Sequence, residues 1–413
     1  MTDIRAGGSS TSAIPVPDAV PLPVAPPGTR YLLTVTGRDR PGVSAALLET
    51  LDAPGVVLLD VEQVVIDGRL VLSVLVASSE PLEPARIQGL DVEVRTVGGA
   101  GDPLPGDPGA PSGNGRHHVI VLGNPVSPAA LGRVATTVAG CGANIDRIAR
   151  LAAWPVGAYE LLVSGGDTGT LRRELSTVAG VDIAVSPASL LRRAKRLVVL
   201  DVDSTLIRGE VIEMLASYAG ARDEVAAVTA AAMAGELDFE ASLRARVRLL
   251  EGVPASALDE VRAQIQLTPG ARTLVRTVRR LGYAVGVVSG GFTQIVDSLA
   301  AELELDFAAA NVLEIRDGKL TGTVVGPVID RAGKAAALER FAAQAGVPLA
   351  QTVAVGDGAN DIEMLARAGL GIAFNAGPVL RAAADASVNV PYLDAVLFLL
   401  GIPREEIAAA DSA

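Results

Sequence analysis

Three short apolar runs, each ending in a turn of chemically active residues, constrain the C-terminal half of this chain most: "LVVLDVD" (197–203), "AVGVVSGG" (284–291) and "TVAVGDG" (352–358). Fully apolar strands of this length, separated by helical segments, specify a parallel sheet covered on both faces. In such sheets ligands sit beyond the carboxyl ends of the strands, which is where all three turns fall. The first turn also poses a physical problem. It sets two carboxylates, Asp201 and Asp203, at the end of a buried strand, where like charges repel and burial is costly unless something compensates. A bound cation would remove the objection. Between 210 and 283 only helical patterns occur, so an all-helical insertion follows the first strand, and "LEIRDGKLTGTVV" (313–325) reads as a hairpin turning at Asp317-Gly318.

Upstream the pattern differs. Residues 1–28, with "AIPVPDAVPLPVAPPG", and the Pro/Gly stretch "GGAGDPLPGDPGAPSGNG" (98–115) read as disordered segment and flexible connector. Between and after them lie two similar blocks. The first runs strand (30–36), helix (40–52, with Pro41 in its first turn), strands (56–66 and 70–77) and a Pro-broken region (80–89). The second runs strand (117–123), helix (127–139), strands (144–151 and 158–164), a helix from about 168 and a strand (181–185). A duplicated β-α-β-β-α-β unit is the economical reading. The expected domains are therefore 1–28 disordered, 29–97 a first α+β module, 98–116 linker, 117–186 a second module, 187–196 connector, and 197–413 an α/β core with a helical cap at about 211–282.

The 413 residues suffice for two or three domains, and a net charge of −12 argues against nucleic-acid or anionic-membrane partners. The single cysteine, Cys141, rules out an internal disulfide and suits a reducing compartment. Residues 1–28 lack the apolar core of a signal peptide, and the apolar stretch 395–402 is too short to span a bilayer. A cytoplasmic protein is expected. His117 and His118 read as solvated residues at a strand entrance, and Cys141 as a small buried thiol.

A lone D-x-D is weak, since Asp201 could simply accept backbone N–H bonds. Further residues add weight. "GDGANDIEML" (356–365) supplies Asp357 and Asp361 near a helix start; capping accounts for Asp361 alone but not for a third strand-end carboxylate. Ser289, followed by Gly290, offers a hydroxyl and adjacent amides to an anion. Lys334 opens a helix, where the dipole disfavours a cation and a phosphate partner makes sense of it. Hard oxygen ligands in this number suit Mg²⁺.

On these four motifs, "DVDST" (201–205), Ser289, Lys334 and "GDGAND" (356–361), the chain resembles the haloacid dehalogenase superfamily. Over roughly 197–402 it is similar to that superfamily's phosphoserine phosphatases. The resemblance implies a Rossmann-like parallel core with a helical cap. It implies Asp201 as nucleophile, Asp203 as general acid/base, and Mg²⁺ held by Asp201, Asp357 and the main-chain carbonyl of Asp203. It also implies Ser289, Gly290 and Lys334 on the phosphate oxygens, with Asp361 orienting Lys334 or the metal shell. In the cap, Glu210, Met233, Phe239 and Arg246 match positions that grip phosphoserine: Glu210 for its ammonium, Arg246 for its carboxylate, Asn360 for an amide contact, Met233 and Phe239 to exclude water. The N-terminal blocks resemble ACT domains, ferredoxin-like α+β modules that bind amino acids and join subunits. "TGRDRPGV" (36–43) is similar to their ligand loop, with Asp39 and Gly42 as candidate contacts for regulatory L-serine. A homodimer is the assembly this implies. Two alternatives stay open: the same chemistry on another small amino-alcohol phosphate, and an amino-acid sensor with a vestigial phosphatase domain.

Overall fold

The computed structural model describes residues 28–82, 89–98, 115–189, 192, 194–233 and 238–412. The expected disordered segment 1–28, the region 80–89 and the linker 98–116 lie largely outside them. The chain divides into two compact units, Met1–Ser112 and Gly113–Ala413.

In the first unit β1 (Thr29–Arg38), α1 (Val43–Thr50), β2 (Val56–Ile66), β3 (Arg69–Ser78) and β4 (Leu90–Gly98) form an antiparallel sheet in the order β2-β3-β1-β4. Alternating Leu33 and Val35 on β1, and Leu70, Leu72, Val74 and Val76 on β3, bury one face. Val43 and Leu47, one turn apart on α1, cover it. Helix α1 starts later than the sequence suggests. Gly42, at φ +90°, turns the chain into the helix, so Pro41 precedes the first turn rather than sitting in it.

The second unit opens with the same arrangement: β5 (Arg116–Gly123), α2 (Pro128–Gly140), β6 (Ala143–Ala152), β7 (Gly157–Gly165), α3 (Thr168–Leu175) and β8 (Asp182–Pro187), in the sheet order β6-β7-β5-β8. The matching order bears out the internal duplication for the four strands and the first helix; the second helix expected in the first block falls largely outside the described residues. Ser127 Oγ caps α2 by accepting from Ala130 N (3.1 Å), and Asp167 caps α3 by accepting from Thr170 N (2.8 Å). Cys141 is half-buried against this module's core. The two histidines correct the reading from sequence. His117 is buried beside the Gly166 carbonyl and Thr168, and His118 Nδ1 lies 2.9 Å from Glu160; neither is a solvated residue.

The third sheet has seven strands. Strand β9 (Leu197–Leu200) is followed by α4 (Val211–Ala219), α5 (Arg222–Met233), α6 (Phe239–Arg248) and α7 (Ser256–Gln264). Then come α8 (Ala271–Arg280), β10 (Ala284–Phe292), α9 (Thr293–Glu302), β11 (Phe307–Arg316), β12 (Lys319–Val325) and α10 (Arg331–Ala345). The chain closes with β13 (Thr352–Gly356), α11 (Ile362–Arg367), β14 (Gly371–Phe374), α12 (Pro378–Ala383), β15 (Ala386–Val388), α13 (Val396–Leu399) and α14 (Arg404–Ser412). The order is β12-β11-β10-β9-β13-β14-β15, and every pair is parallel except β11 with β12. Fully buried β9, flanked on both sides, is central. Helix α8, placed in the cap on sequence grounds, instead packs on β10 through a buried stripe of Leu274, Val275 and Val278; the helical excursion proper is α4–α7. That excursion is stitched to the β11–β12 hairpin: Gly252 N donates to Leu320 O (2.9 Å), Leu320 N to Val253 O (2.9 Å) and Ala255 N to Gly318 O (2.8 Å). Asp317 and Gly318, at φ +49° and +74°, make the hairpin turn as expected. Among the described residues no helix is long and apolar enough to cross a membrane.

Within the second unit the α+β module is joined to the core by a charged cluster. Arg192 donates to Leu399 O (3.1 Å) and pairs with Glu160, which also meets His118. The hydrogen bond from His118, with Arg192 assisting, outweighs burial and depresses the Glu160 carboxyl from 4.5 to about 2. A depressed carboxyl stabilises the fold above its unfolded value, and that stability is lost as pH falls through the folded value. Acidification from about 4.5 to 2 is therefore expected to remove on the order of 1–2 kcal/mol in the wild type, discounted for partial exposure. A Glu160→Gln variant, followed by urea denaturation across that range, should lack this component.

Candidate active site

Register alone gathers the key side chains. Leu200 on β9 is aligned with Val287 on β10 and with Val355 on β13. Asp201 lies one residue beyond that line, Ser289 and Asp357 two beyond it, on strands about 4.8 Å apart. Asp201 N donates to Val355 O (2.9 Å), fixing the end of the central strand. The chain then folds into a tight turn over 202–206 in which Ser204 adopts φ +57°, a left-handed conformation that a non-glycine residue rarely takes. This turn swings Asp203 back toward β10. Its Oδ1 accepts from Val211 N (2.9 Å) and its Oδ2 from Ser289 Oγ (3.1 Å).

Lys334, in the first turn of α10, is completely buried. Its Nζ lies 2.7 Å from Asp201 Oδ1 and 2.8 Å from Asp361 Oδ1. Asp361 Oδ2 accepts from Gly358 N (3.1 Å), so Asp361 both holds the lysine and closes its own loop. Two glycines are required by this packing. A Cβ on Gly356 would lie 2.4 Å from Asp361 Cγ, and one on Gly291 would lie 2.9 Å from both Asp203 Oδ2 and Ser289 Oγ.

A cavity of about 890 Å³ opens over these groups. Asp201, Asp203, Lys334, Asp357, Gly290 and Asn360 line it from the core; Glu210, Phe239 and Arg246 line it from the cap side. Phe239, at the start of α6, packs over Gly290, where a Cβ would meet its ring at 3.0 Å. The structure thus brings Asp201, Asp203, Glu210, Phe239, Arg246, Ser289, Gly290, Lys334, Asn360, Asp357 and Asp361 together. The Met233 side chain lies outside the described residues. Asp39 and Gly42 belong to the first unit, at the turn between β1 and α1, where Asp39 is exposed and its N donates to Gly68 O (2.8 Å).

Two supporting hydroxyls escaped the sequence reading. Thr205 Oγ1 donates to Asp357 Oδ1 (3.2 Å) while its carbonyl accepts from Thr268 (2.7 Å), and Ser204 Oγ donates to Glu210 Oε1 (3.0 Å). Both stand in the quoted "DVDST", but Asp357 is 152 residues away and no local pattern announces the pairing.

Charge is unbalanced here. Burial, then the neighbouring Asp361, pushes Asp201 well above the usual carboxylate range, against the pull of Lys334. Burial raises Asp203 despite its two donors, raises Asp357 to about 6 with Asp361 adding to it, and raises Glu210 to about 7 with Asp203 adding. For Lys334, burial favours the neutral amine, but Asp201 and Asp361 outweigh it and hold the ammonium charged. Burial also lowers Arg246, opposed by Glu210 and Asp203. Oxygens of Asp201, Asp357 and Asp361 lie within 4.8 Å of one another. An oxygen-only donor set carrying more negative charge than one ammonium offsets fits a hard divalent cation.

Known proteins share much of this chain's sequence. Residues 198–366 match the model of haloacid dehalogenase-like hydrolases, and residues 29–93 and 115–186 each match ACT-domain models. The chain is 57% identical over 396 residues to phosphoserine phosphatase of Streptomyces coelicolor, covering 92% of this chain and 94% of that one. It is 54% identical over 403 residues to phosphoserine phosphatase SerB2 of Mycobacterium tuberculosis, covering 94% and 97%. An unliganded crystal structure of a probable phosphoserine phosphatase from Vibrio cholerae superposes with a TM-score of 0.56 at 36% identity, covering 72% of this chain and 89% of that one.

Removing the buried ammonium leaves Asp201 and Asp361 without a countercharge, so Lys334→Ala is expected to cost about 3–5 kcal/mol. A carboxyl raised in the folded state binds more protons there than when unfolded, so its ionisation destabilises the fold as pH rises. The loss on urea denaturation should accordingly be larger at pH 8 than at pH 5.

Proposed function

The chain belongs to the phosphoserine phosphatases, haloacid dehalogenase-like hydrolases here preceded by two ACT domains, and from that premise we propose that it hydrolyses O-phospho-L-serine to L-serine and inorganic phosphate through an aspartyl-phosphate. The observation that carries the reading is the convergence of Asp201, Asp203, Ser289, Lys334 and Asp357 around one cavity whose cap side offers one carboxylate and one guanidinium.

Asp201 attacks phosphorus in line, forming a bond from its carboxylate oxygen as the bond to the serine oxygen breaks. Asp203 gives its proton to the departing oxygen, then removes one from the water that cleaves the aspartyl-phosphate. Its raised pKa, set by burial, supports the protonated starting state, and its bonds to Val211 N and Ser289 keep it aimed. Ser289, the Gly290 amide and Lys334 bind the phosphoryl oxygens where charge accumulates. Glu210, braced by Ser204, faces the substrate ammonium, Arg246 forks onto its carboxylate, and Asn360 adds an amide contact. Phe239 on Gly290 helps keep water out. Mg²⁺, held by Asp201, Asp357 and the Asp203 main-chain carbonyl, supplies neutralisation of phosphate oxygen charge when bound.

The ACT domains support amino-acid regulation, with L-serine at the Asp39–Gly42 turn as the first candidate, and a homodimer as the assembly. The lone half-buried thiol of Cys141 suits a reducing cytoplasm.

Phosphate release from L-phosphoserine should stop with EDTA and return with Mg²⁺, and Asp201→Asn should abolish it; release that survives Asp201→Asn would overturn the mechanism. Losing the substrate amino group or esterifying its carboxylate should each lower kcat/KM by about 100-fold, since a buried partner is left unpaired. Glu210→Gln and Arg246→Ala should erase the discrimination against the matching analogue. Equal turnover of all three esters points instead to a different small phosphate.

A further inference from the structure

Helix α12 and its flanks form part of the cavity wall: Gly377, Pro378, Val379 and Leu380 all line it. The segment leaves the sheet at β14 and returns at β15, and its returning end is gripped by the second ACT domain. Arg172, on α3, reaches from Nη1 to Asp385 Oδ1 (3.1 Å) and from Nη2 to Val185 O on β8 (3.1 Å). Asp385 in turn accepts from Gly371 N through Oδ2 (2.9 Å), and its own N donates to Gly371 O (2.9 Å), so it ties α12 to β14. Four residues on, Asn389 binds Asp182 at the start of β8 twice: its backbone N donates to Oδ2 (2.6 Å) and its Nδ2 to Oδ1 (2.7 Å). Strands β8 and β15 lie in contact between these two clamps. Inside the segment, Arg381 N donates to Gly377 O (3.2 Å) and Ala384 N to Leu380 O (3.0 Å), which links the short helix to both of its flanks. Asn375 N to Val388 O (2.8 Å) closes the base of the loop.

Resting on the phosphatase reading above, we propose that Arg172 and Asp182 of the second ACT domain are positioning residues for the catalytic cavity. Through Asp385 and Asn389 they set where α12 presents residues 377–380 to the bound amino-acid phosphate. Neither residue touches the reacting groups; their effect falls on how well the substrate seats. Exposed ion pairs of this kind usually contribute little to folding. A doubly anchored carboxylate and amide at one loop end has a positional effect instead, because a shift of about 1 Å at a binding wall can cost an order of magnitude or more. A change in the ACT module that loosens these contacts thus reaches the cavity without crossing the cap.

The test uses the full chain with L-phosphoserine and Mg²⁺. Arg172→Ala and Asp182→Ala should each raise KM about five-fold while kcat stays within about two-fold, with Arg172→Lys intermediate because it keeps the charge but loses the fork. Backbone amides of residues 379–384 should exchange with deuterium faster in both alanine variants. Melting curves identify any variant that fails to fold, and Asp182→Asn, which keeps the size and one acceptor, then takes its place. Folded variants with unchanged KM and unchanged exchange at 379–384 overturn the proposal. A wild-type chain that releases no phosphate overturns the phosphatase reading instead, and the exchange measurement still decides whether the ACT domain holds the wall.

Discussion

A single ammonium, that of Lys334, is the contact on which the arrangement of the site rests. Taking a lysine out of water costs several kcal/mol even after relaxation, and nothing in its helix offsets that, since the first turn of α10 carries the positive end of the dipole. Asp201 and Asp361 compensate it together, each within 2.8 Å. The same contact makes it feasible to place Asp201 at the end of the central strand, and it orders the loop of Asp357 through the bond from Gly358 to Asp361. Strand, helix and loop from three separate stretches of chain meet on one charge.

That charge does not balance the site. Asp201, Asp203, Asp357 and Glu210 are all pushed upward chiefly by burial, with Asp361 adding to it at Asp201 and Asp357 and Asp203 adding at Glu210. The folded protein alone therefore holds an excess of poorly solvated acid, a condition suited to receiving a divalent cation and a substrate bearing its own ammonium. Stability is given up where the chemistry needs it.

The core of the site was legible because strand-end turns in a parallel sheet converge by geometry. Once 197–203, 284–291 and 352–358 read as adjacent strands, Asp201, Ser289 and Asp357 had to meet. Lys334 was legible as an anomaly, a cation where the helix dipole opposes it. The supporting groups were not. Thr205 finds Asp357, and Arg172 finds Asp385, across gaps of 152 and 213 residues, and neither partner sits in a pattern that periodicity or capping reveals. His117 was misread because a polar residue at a strand entrance is usually wet; here Gly166 and Thr168 cover it. The boundary of the cap failed for a related reason: helical periodicity marks α8 as one more helix in the series, and only the sheet it packs on assigns it to the core.

Along the chain, chemistry and choice are written in different places. Asp201, Ser289, Lys334 and Asp357 come from the strand ends and the helix of the sheet layer, whereas Phe239 and Arg246 come from helices inserted between β9 and β10. Those helices pack on one another and on the hairpin that steadies them, which lies at the far edge of the sheet from β15. An ancestor could exchange the inserted helices for others and change its taste in phosphate esters, while the machinery that cleaves them stayed as it was.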